Sequence, residues 1–416
     1  MGAAASVGVD MTTAENAGEE GTELLIMLSA PVVLRKSPKT VTEWVGLDAL
    51  SAEDKAKFVG GTDATDVTSW DYNIWALNDD DLQQLVSVVF TTMDLPTKVG
   101  VKAATAGRWL RAVEALMNRN NNDYHCFRHV IDVMHSTFLF LTTFGAGRYL
   151  SDTEQFSLVT AAVCHDLDHP GTNNTYHVNK HTPLAIVYND TSILENYHCA
   201  RTFELFSQAD YDVLECLDKS QRKESRRVIM LAIMATDMVL HFGMKANLDK
   251  LATKWAETPL AADAMPEPKE RDLLMQVTLH AADVSNPSKQ WDVCKRWSDH
   301  VIAEFFAQGD LEKAEDLPVS MNCDRDTTFQ DELSMNFSDF IVGPFYMSIT
   351  NLLPKSMPAT VNLKTNRDGW FSMYKTRVDA GKTDDALKEK LVGWNGRAAG
   401  TTAQFDACID AARAKL

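Results

Sequence analysis

Side chains able to hold a metal ion are concentrated between residues 124 and 171. The stretch opens with Tyr124-His125-Cys126-Phe127-Arg128-His129 and closes with His165-Asp166-Leu167-Asp168-His169-Pro170-Gly171. Imidazole and carboxylate are good ligands for zinc and other divalent transition ions. His125 and His129 are four apart and would share one helix face. Pro170-Gly171 is expected to stop a helix abruptly, leaving His165, Asp166 and His169 on its last turn. Each short pattern alone is weak, because a lone histidine on an amphipathic helix is usually a core or surface residue. All eleven histidines, however, fall between His125 and His300.

The elements that must position these groups can be read from the intervening sequence. The apolar stretch from Val130 to Cys164 suggests helix, turn, helix. If the two helices pack antiparallel, His129, His165 and Asp166 converge and lack a fourth ligand. Asp283, within Leu279-His280-Ala281-Ala282-Asp283-Val284-Ser285-Asn286-Pro287, offers one. It ends an amphipathic helix running from about Glu270, where the helix dipole disfavours an acid. The bland alternative is a solvent-facing turn residue. A carboxylate at Asp166 could also bridge two cations, as two-metal hydrolytic sites require.

From Trp70 onward apolar residues recur at i, i+3, i+4 and i+7, and strand-type alternation is almost absent. Helical segments are expected at 108–117, 127–144, 153–164, 183–188, 192–206, 210–217, 222–241, 246–256, 270–283, 289–307, 333–353 and 384–393. The expected fold is all-α, a compact multi-helix bundle with a binuclear metal site at the helix ends. Residues 1–69 are expected as leader and linker, with one short helix near 51–58 and an apolar run at 23–36. The catalytic domain is expected over 70–395 and a tail helix over 396–416.

A net charge of −18 over 416 residues argues against nucleic acid as a partner. Seven scattered cysteines without C-x-x-C spacing fit a reducing compartment. No apolar run reaches the ~18 residues that span a bilayer, so a cytoplasmic location is expected. Gly2, followed by Ser6, fits an N-myristoylation acceptor. A single acyl chain would give weak, reversible membrane association.

In these stretches the sequence resembles the class I 3′,5′-cyclic-nucleotide phosphodiesterases, within the HD-type metal-dependent phosphohydrolases. The resemblance runs over roughly residues 70–355 and includes Tyr124-His125-x-x-x-His129-x-x-Asp132 and His165 to Gly171 followed by Asn173. It continues through Leu184-Ala185-x-x-Tyr188-Asn189-Asp190, Leu194-Glu195-Asn196-x-His198 and Ala235-Thr236-Asp237-Met238. Ala282-Asp283-x-Ser285-Asn286-Pro287 and Glu304-Phe305-Phe306-x-Gln308-Gly309-Asp310 complete the order. The resemblance implies that His129, His165, Asp166 and Asp283 bind a tightly held Zn²⁺. Asp166 would bridge to a more exchangeable Mg²⁺ or Mn²⁺, and a hydroxide between the ions would attack phosphorus. His125 would be the general acid that protonates the O3′ leaving group. His169, Glu195, Thr236 and Asp237 match positions that support the second metal. Glu195 has a local alternative, since Ser192-x-x-Glu195 is also a capping box. Asp132 would orient a neighbouring imidazole. Family members often dimerise through this domain.

The base-binding half departs from the family pattern. The family's glutamine stands three residues before a phenylalanine, here Phe337, and that position holds Ser334. One hydroxyl cannot reproduce an amide's paired bonds; Gln330, one turn earlier, or Asn336 could substitute. Phe337 and Val301 match the family's clamp on the base, with helix core as the rival reading for Val301. Tyr124 and Asn286 match positions beside the substrate. The implied reaction is hydrolysis of cGMP, cAMP or both to the 5′-monophosphate, ending cyclic-nucleotide signalling. Two rival readings are an HD-type phosphohydrolase of another phosphoester and a non-catalytic cyclic-nucleotide-binding or regulatory protein.

Overall fold

The computed structural model describes residues 41, 43–261, 264–380 and 385–416. Gly2, the apolar run at 23–36 and the rest of residues 1–40 lie outside them. The early helices are α1 (Ala52–Ala56), α2 (Asp79–Thr92), α3 (Leu95–Val99), α4 (Ala103–Met117), α5 (Phe127–Leu141) and α6 (Asp152–Cys164). The middle of the chain forms α7 (Asn174–Lys180), α8 (Pro183–Tyr188), α9 (Ile193–Phe206), α10 (Lys219–Met234), α11 (His241–Glu257) and α12 (Pro268–Asp283). The last are α13 (Trp291–Ala314), α14 (Gln330–Phe337), α15 (Gly343–Leu352), α16 (Met357–Ala380) and α17 (Asp385–Arg413). Among the described residues there is no strand, and one bridge pairs Val59 with Asp66. The expected all-α bundle is what forms.

The bundle is built around α5, in which every residue except Arg128 is buried. Such a helix has no solvent face and must be enclosed by others. α6, α12 and α2 pack against it, and α10 packs on α6. Ser151 starts α6 by accepting from the Glu154 N–H at 3.3 Å, while Glu154 accepts from the Ser151 N–H at 2.7 Å. This capping box satisfies two otherwise unpaired donors.

Several boundaries differ from those expected. His125 precedes α5, whose N-cap is Cys126, so His125 and His129 do not share a helix face. The backbone N–H groups of Tyr124 and His125 donate to Glu304 at 2.9 and 3.0 Å instead of entering a helical turn. α6 ends at Cys164, before His165, Asp166 and His169. Pro170 does not set that end. The chain turns at Asp168, in the left-handed region at φ 66°. The Asp168 carboxylate is buried and accepts from Arg119, Tyr197 and Arg201 at 2.6, 2.6 and 3.0 Å, which holds that conformation.

The expected helix at 222–241 is broken after Met234, and Thr236 and Asp237 occupy the break. The expected helix at 210–217 is only a 3₁₀ turn, Val213–Cys216. Over 333–353 the chain passes from α14 through a π-helical turn, Ser338–Val342, into α15. Val41, Phe58 and Val67, in the stretch expected as linker, are buried in the main core. α17 runs without interruption past residue 395. No single helix among the described residues is long and apolar enough to cross a membrane; α10 and α11 qualify only together, across an 81° bend.

Candidate metal centre and active site

Three helix ends meet where the sequence suggests ligands. His129 comes from the first turn of α5, His165 and Asp166 follow α6, and Asp283 is the last residue of α12. Their candidate ligand atoms all lie within 4.8 Å of one another. His129 Nε2 is 3.2 Å from Asp166 Oδ2 and 3.3 Å from Asp283 Oδ1. His165 Nε2 lies 3.1 and 3.3 Å from the same two atoms.

Both imidazoles are fully buried, and neither Nε2 has a hydrogen-bond partner. His165 donates from Nδ1 to the Ala162 carbonyl at 2.9 Å, which turns its Nε2 toward the carboxylates. Burial disfavours a charged His165, but Asp166 and Asp283 outweigh it and hold its pKa well above the ordinary value. Burial likewise disfavours the charged forms of Asp166 and Asp283, and His165 nonetheless holds both well below the usual carboxylate range. Two carboxylates facing two orphaned imidazole nitrogens fit a divalent cation.

His125 sits beside this cluster, its Nε2 3.9 Å from Asp166 Oδ2. Its Nδ1 is bonded to Glu304, from the middle of α13. Burial pushes the His125 pKa down; Glu304, followed by Asp166, overcomes this and lifts it to about 9. His169 stacks on the His125 ring with centroids 3.8 Å apart and planes 15° from parallel. The His169 Nδ1 accepts from the Gly171 N–H at 3.0 Å. Burial, reinforced by His125, holds the His169 pKa well below normal.

The remaining polar groups come from α9 and from the break between α10 and α11. Ser192 does not cap α9. It sits at φ 43°, and its hydroxyl donates to Asp237 Oδ2 at 2.6 Å. The Asn174 side chain takes the Leu194 N–H instead, at 2.9 Å. Glu195 therefore forms no capping box; it accepts from Asn174 Nδ2 at 3.1 Å. Burial, followed by Asp237, raises the Glu195 pKa to about 7. Thr236 donates to the Ile233 carbonyl at 2.8 Å.

Asp132 does not orient an imidazole. It accepts from the Trp297 indole N–H at 2.9 Å and lies 3.6 Å from the buried Lys289 ammonium. A lysine buried in apolar surroundings needs a counter-charge, and Asp132 supplies it. Glu304 and His198 also belong to the site, although residue types alone did not single them out. His198 Nε2 is 3.8 Å from Asp166 Oδ1. The usable signal was that both stand inside motifs that carry the family resemblance.

A cavity of about 340 Å³ adjoins His125 and Asp283. Tyr124, Asn286, Val301, Ser334 and Phe337 line it. Asn286 donates to the Tyr124 hydroxyl at 2.6 Å. Neither proposed stand-in for the family glutamine faces this space. Gln330 donates to Ser298 Oγ at 3.0 Å and to Asp299 Oδ1 at 2.7 Å. Asn336 is exposed.

Residues 124–363 match the family described as 3′,5′-cyclic nucleotide phosphodiesterase. The chain is 31% identical over 322 residues to 3′,5′-cyclic-nucleotide phosphodiesterase regA of Dictyostelium discoideum, covering 77% of this chain and 40% of that protein. It is 29% identical over 332 residues to a rat (Rattus norvegicus) dual specificity calcium/calmodulin-dependent 3′,5′-cyclic nucleotide phosphodiesterase 1C, covering 78% and 41%. It thus spans less than half the length of these relatives. The fold is similar to the crystal structure of the phosphodiesterase domain of the RhoPDE fusion protein from the choanoflagellate Salpingoeca rosetta. That match has a TM-score of 0.71 and 28% identity, covering 79% of this chain and all of that one. With more than half of its length matched, the chain belongs to the 3′,5′-cyclic nucleotide phosphodiesterase family.

Proposed function

We propose that the chain hydrolyses a 3′,5′-cyclic nucleotide, cAMP or cGMP, to the 5′-monophosphate and so ends cyclic-nucleotide signalling. The observation that carries this reading is the convergence of His129, His165, Asp166 and Asp283 within 4.8 Å. Divalent cations (zinc on those four residues, magnesium or manganese beside Asp166 near His169, Glu195, Thr236 and Asp237) would neutralise the phosphodiester and activate water at neutral pH.

His125 supplies the proton. Breaking the bond between phosphorus and O3′ expels an alkoxide, a poor leaving group unless protonated as the bond breaks. Glu304 accepts from Nδ1 of His125, so Nε2 carries the proton to be donated, on the side where Asp166 lies 3.9 Å away. His169, stacked face to face, restrains ring rotation. After transfer the neutral imidazole keeps its Nδ1–H bond to Glu304, and Nε2 is free to take a new proton from water.

In this reading Phe337 and Val301 clamp the base, while Tyr124, Asn286 and Ser334 supply its polar contacts. In the same reading residues 70–395 are the hydrolytic unit, preceded by the leader and linker of 1–69 and followed by the tail of 396–416. A cytoplasmic location, reversible membrane contact through an acylated Gly2 and homodimerisation belong to the same proposal. Purified protein assayed with cAMP and cGMP, with Mg²⁺ or Mn²⁺, tests the reaction. Cleavage that chelator and Asp283→Ala both abolish is the expected result. Failure of the metal-loaded protein to cleave either nucleotide refutes it.

A further inference from the structure

Thr236 and Asp237 sit on the segment between α10 and α11, and the middle of that segment is not held by packing. Met238, Val239 and Leu240 are 42%, 84% and 43% exposed. The bonds of this turn are mostly its own. Asp237 Oδ1 accepts from the Val239 N–H at 2.9 Å, and the Leu240 N–H donates to the Asp237 carbonyl at 3.0 Å. They shape the turn without fixing it to the rest of the bundle; from outside, Ser192 reaches Asp237. The two ends of the segment are different. Ala235 and His241 are both fully buried, and both are bonded to one side chain of α12, His280.

His280 Nδ1 donates to the Ala235 carbonyl at 2.9 Å, and His280 Nε2 is 2.9 Å from His241 Nδ1. The proton positions follow from the partners. A carbonyl only accepts, so Nδ1 of His280 carries hydrogen. Burial holds the His280 pKa below its ordinary value, so the ring is neutral, its Nε2 accepts, and His241 donates to it. Phe345 of α15 packs on both rings, with centroids 4.9 and 5.4 Å away. His280 lies in the last turn of α12, which ends at Asp283, and the Asp283 carboxylate faces His129 and His165. One imidazole therefore joins the turn that presents Asp283 to both ends of the segment that presents Asp237.

We propose that His280 is a positioning residue that couples the two candidate ion sites. An ion held through Asp283 fixes the last turn of α12, and the two bonds of His280 carry that constraint to residues 235–241 and so to Asp237. Coupling of this kind is reciprocal: each ion strengthens the binding of the other by the same factor. A hydrogen-bonding partner one step beyond the ligands is worth about tenfold or more in metal affinity. The inference rests on the reading above, in which Asp283 and Asp237 serve neighbouring cations.

The test loads the metal-stripped full chain with one equivalent of Zn²⁺, confirmed by metal analysis, and follows amide hydrogen exchange over residues 235–241. In the unaltered chain zinc should slow exchange there by about fivefold or more. In His280→Ala the same loading should produce no slowing. Mn²⁺ added next, read as free Mn²⁺ by electron paramagnetic resonance, should bind that variant about tenfold more weakly than the zinc-loaded unaltered chain. His280→Asn, whose amide stands near the Nδ1 position and still donates to Ala235, should recover most of the slowing at Thr236. A purely structural role would speed exchange equally with and without zinc and leave the zinc-dependent difference intact. That result overturns the inference, as does an unaltered chain in which zinc slows nothing. Should His280→Ala not fold, His241→Phe, which removes the donor to Nε2, should lose the slowing at the His241 end; full slowing there also overturns it. An unaltered chain that takes up no zinc overturns it together with the metal reading. Slowing that depends on His280 in a chain that cleaves no nucleotide upholds it and refutes the hydrolase reading alone.

Discussion

Replacing Glu304 with glutamine removes one negative charge while keeping an oxygen for the Tyr124 and His125 backbone N–H groups. Glu304 is the largest influence holding His125 protonated against burial, and together with Asp166 and Asp283 it places the pKa at about 9 rather than 6.5. The sign follows directly. A proton donor with a raised pKa is competent below that pKa and is lost as the pH climbs through it. At pH 8 a group of pKa about 9 is roughly nine-tenths protonated, and one of pKa 6.5 is roughly 3% protonated. Glu304→Gln should therefore lower kcat/KM about 30-fold at pH 8 and less than about twofold at pH 6. In the variant burial still lowers the His125 pKa while Asp166 and Asp283 still raise it, and the figure of about 30-fold takes the ordinary value as the balance of the two. Cations in the neighbouring cluster lower the His125 pKa in both proteins, and the difference between the two profiles is the quantity to read. Initial rates with saturating Mg²⁺ across about pH 5.5 to 9.5, with metal content checked in both proteins, give the comparison. A loss independent of pH would refute the electrostatic argument and leave Glu304 a purely geometric support. An unchanged profile would refute both.

Asp168→Ala should leave Arg119 and Arg201 without their buried counter-charge and cost about 3–5 kcal/mol, read as a lower urea midpoint; a change under about 1 kcal/mol would show that the turn is held otherwise. Ser192→Ala frees Asp237 from its 2.6 Å bond and should raise the Mg²⁺ or Mn²⁺ concentration for half-maximal activity by about three- to tenfold; no change would remove Asp237 from the second-ion site. Stripping metal with chelator should lower Tm, because a ligand bound only to the folded state stabilises it by mass action, and Asp283→Asn should show a smaller drop than the unaltered chain. An equal drop in both would argue that Asp283 holds no ion.

The cluster of candidate ligands was legible because its chemistry is local. His165-Asp166 are neighbours, His129 opens one helix, and Asp283 ends another against its dipole. The fold class was legible for a similar reason, since helical periodicity survives in α5, α9 and α12 without tertiary information. What could not be read was where a tertiary bond overrides a local rule. Glu304, far away in sequence, draws two backbone N–H groups away from α5. Asp168 turns the chain before Pro170 can. Ser192 gives its hydroxyl to Asp237 and leaves Asn174 to cap its helix. Asp132 answers a buried lysine rather than an imidazole. Each depends on a partner at least about thirty residues away, or on burial that no short window reveals.

In the proposed reading one helix serves both ends of the substrate. α13 carries Glu304, which is bonded to His125, and Cys294, Ser298, Val301 and Phe305, which line the cavity where the base would lie. A ligand whose base shifts that helix displaces the proton donor with it, so a misfit at the base is felt at the leaving oxygen. In such a protein, discrimination among bases is written partly into turnover number, and binding strength alone would understate it.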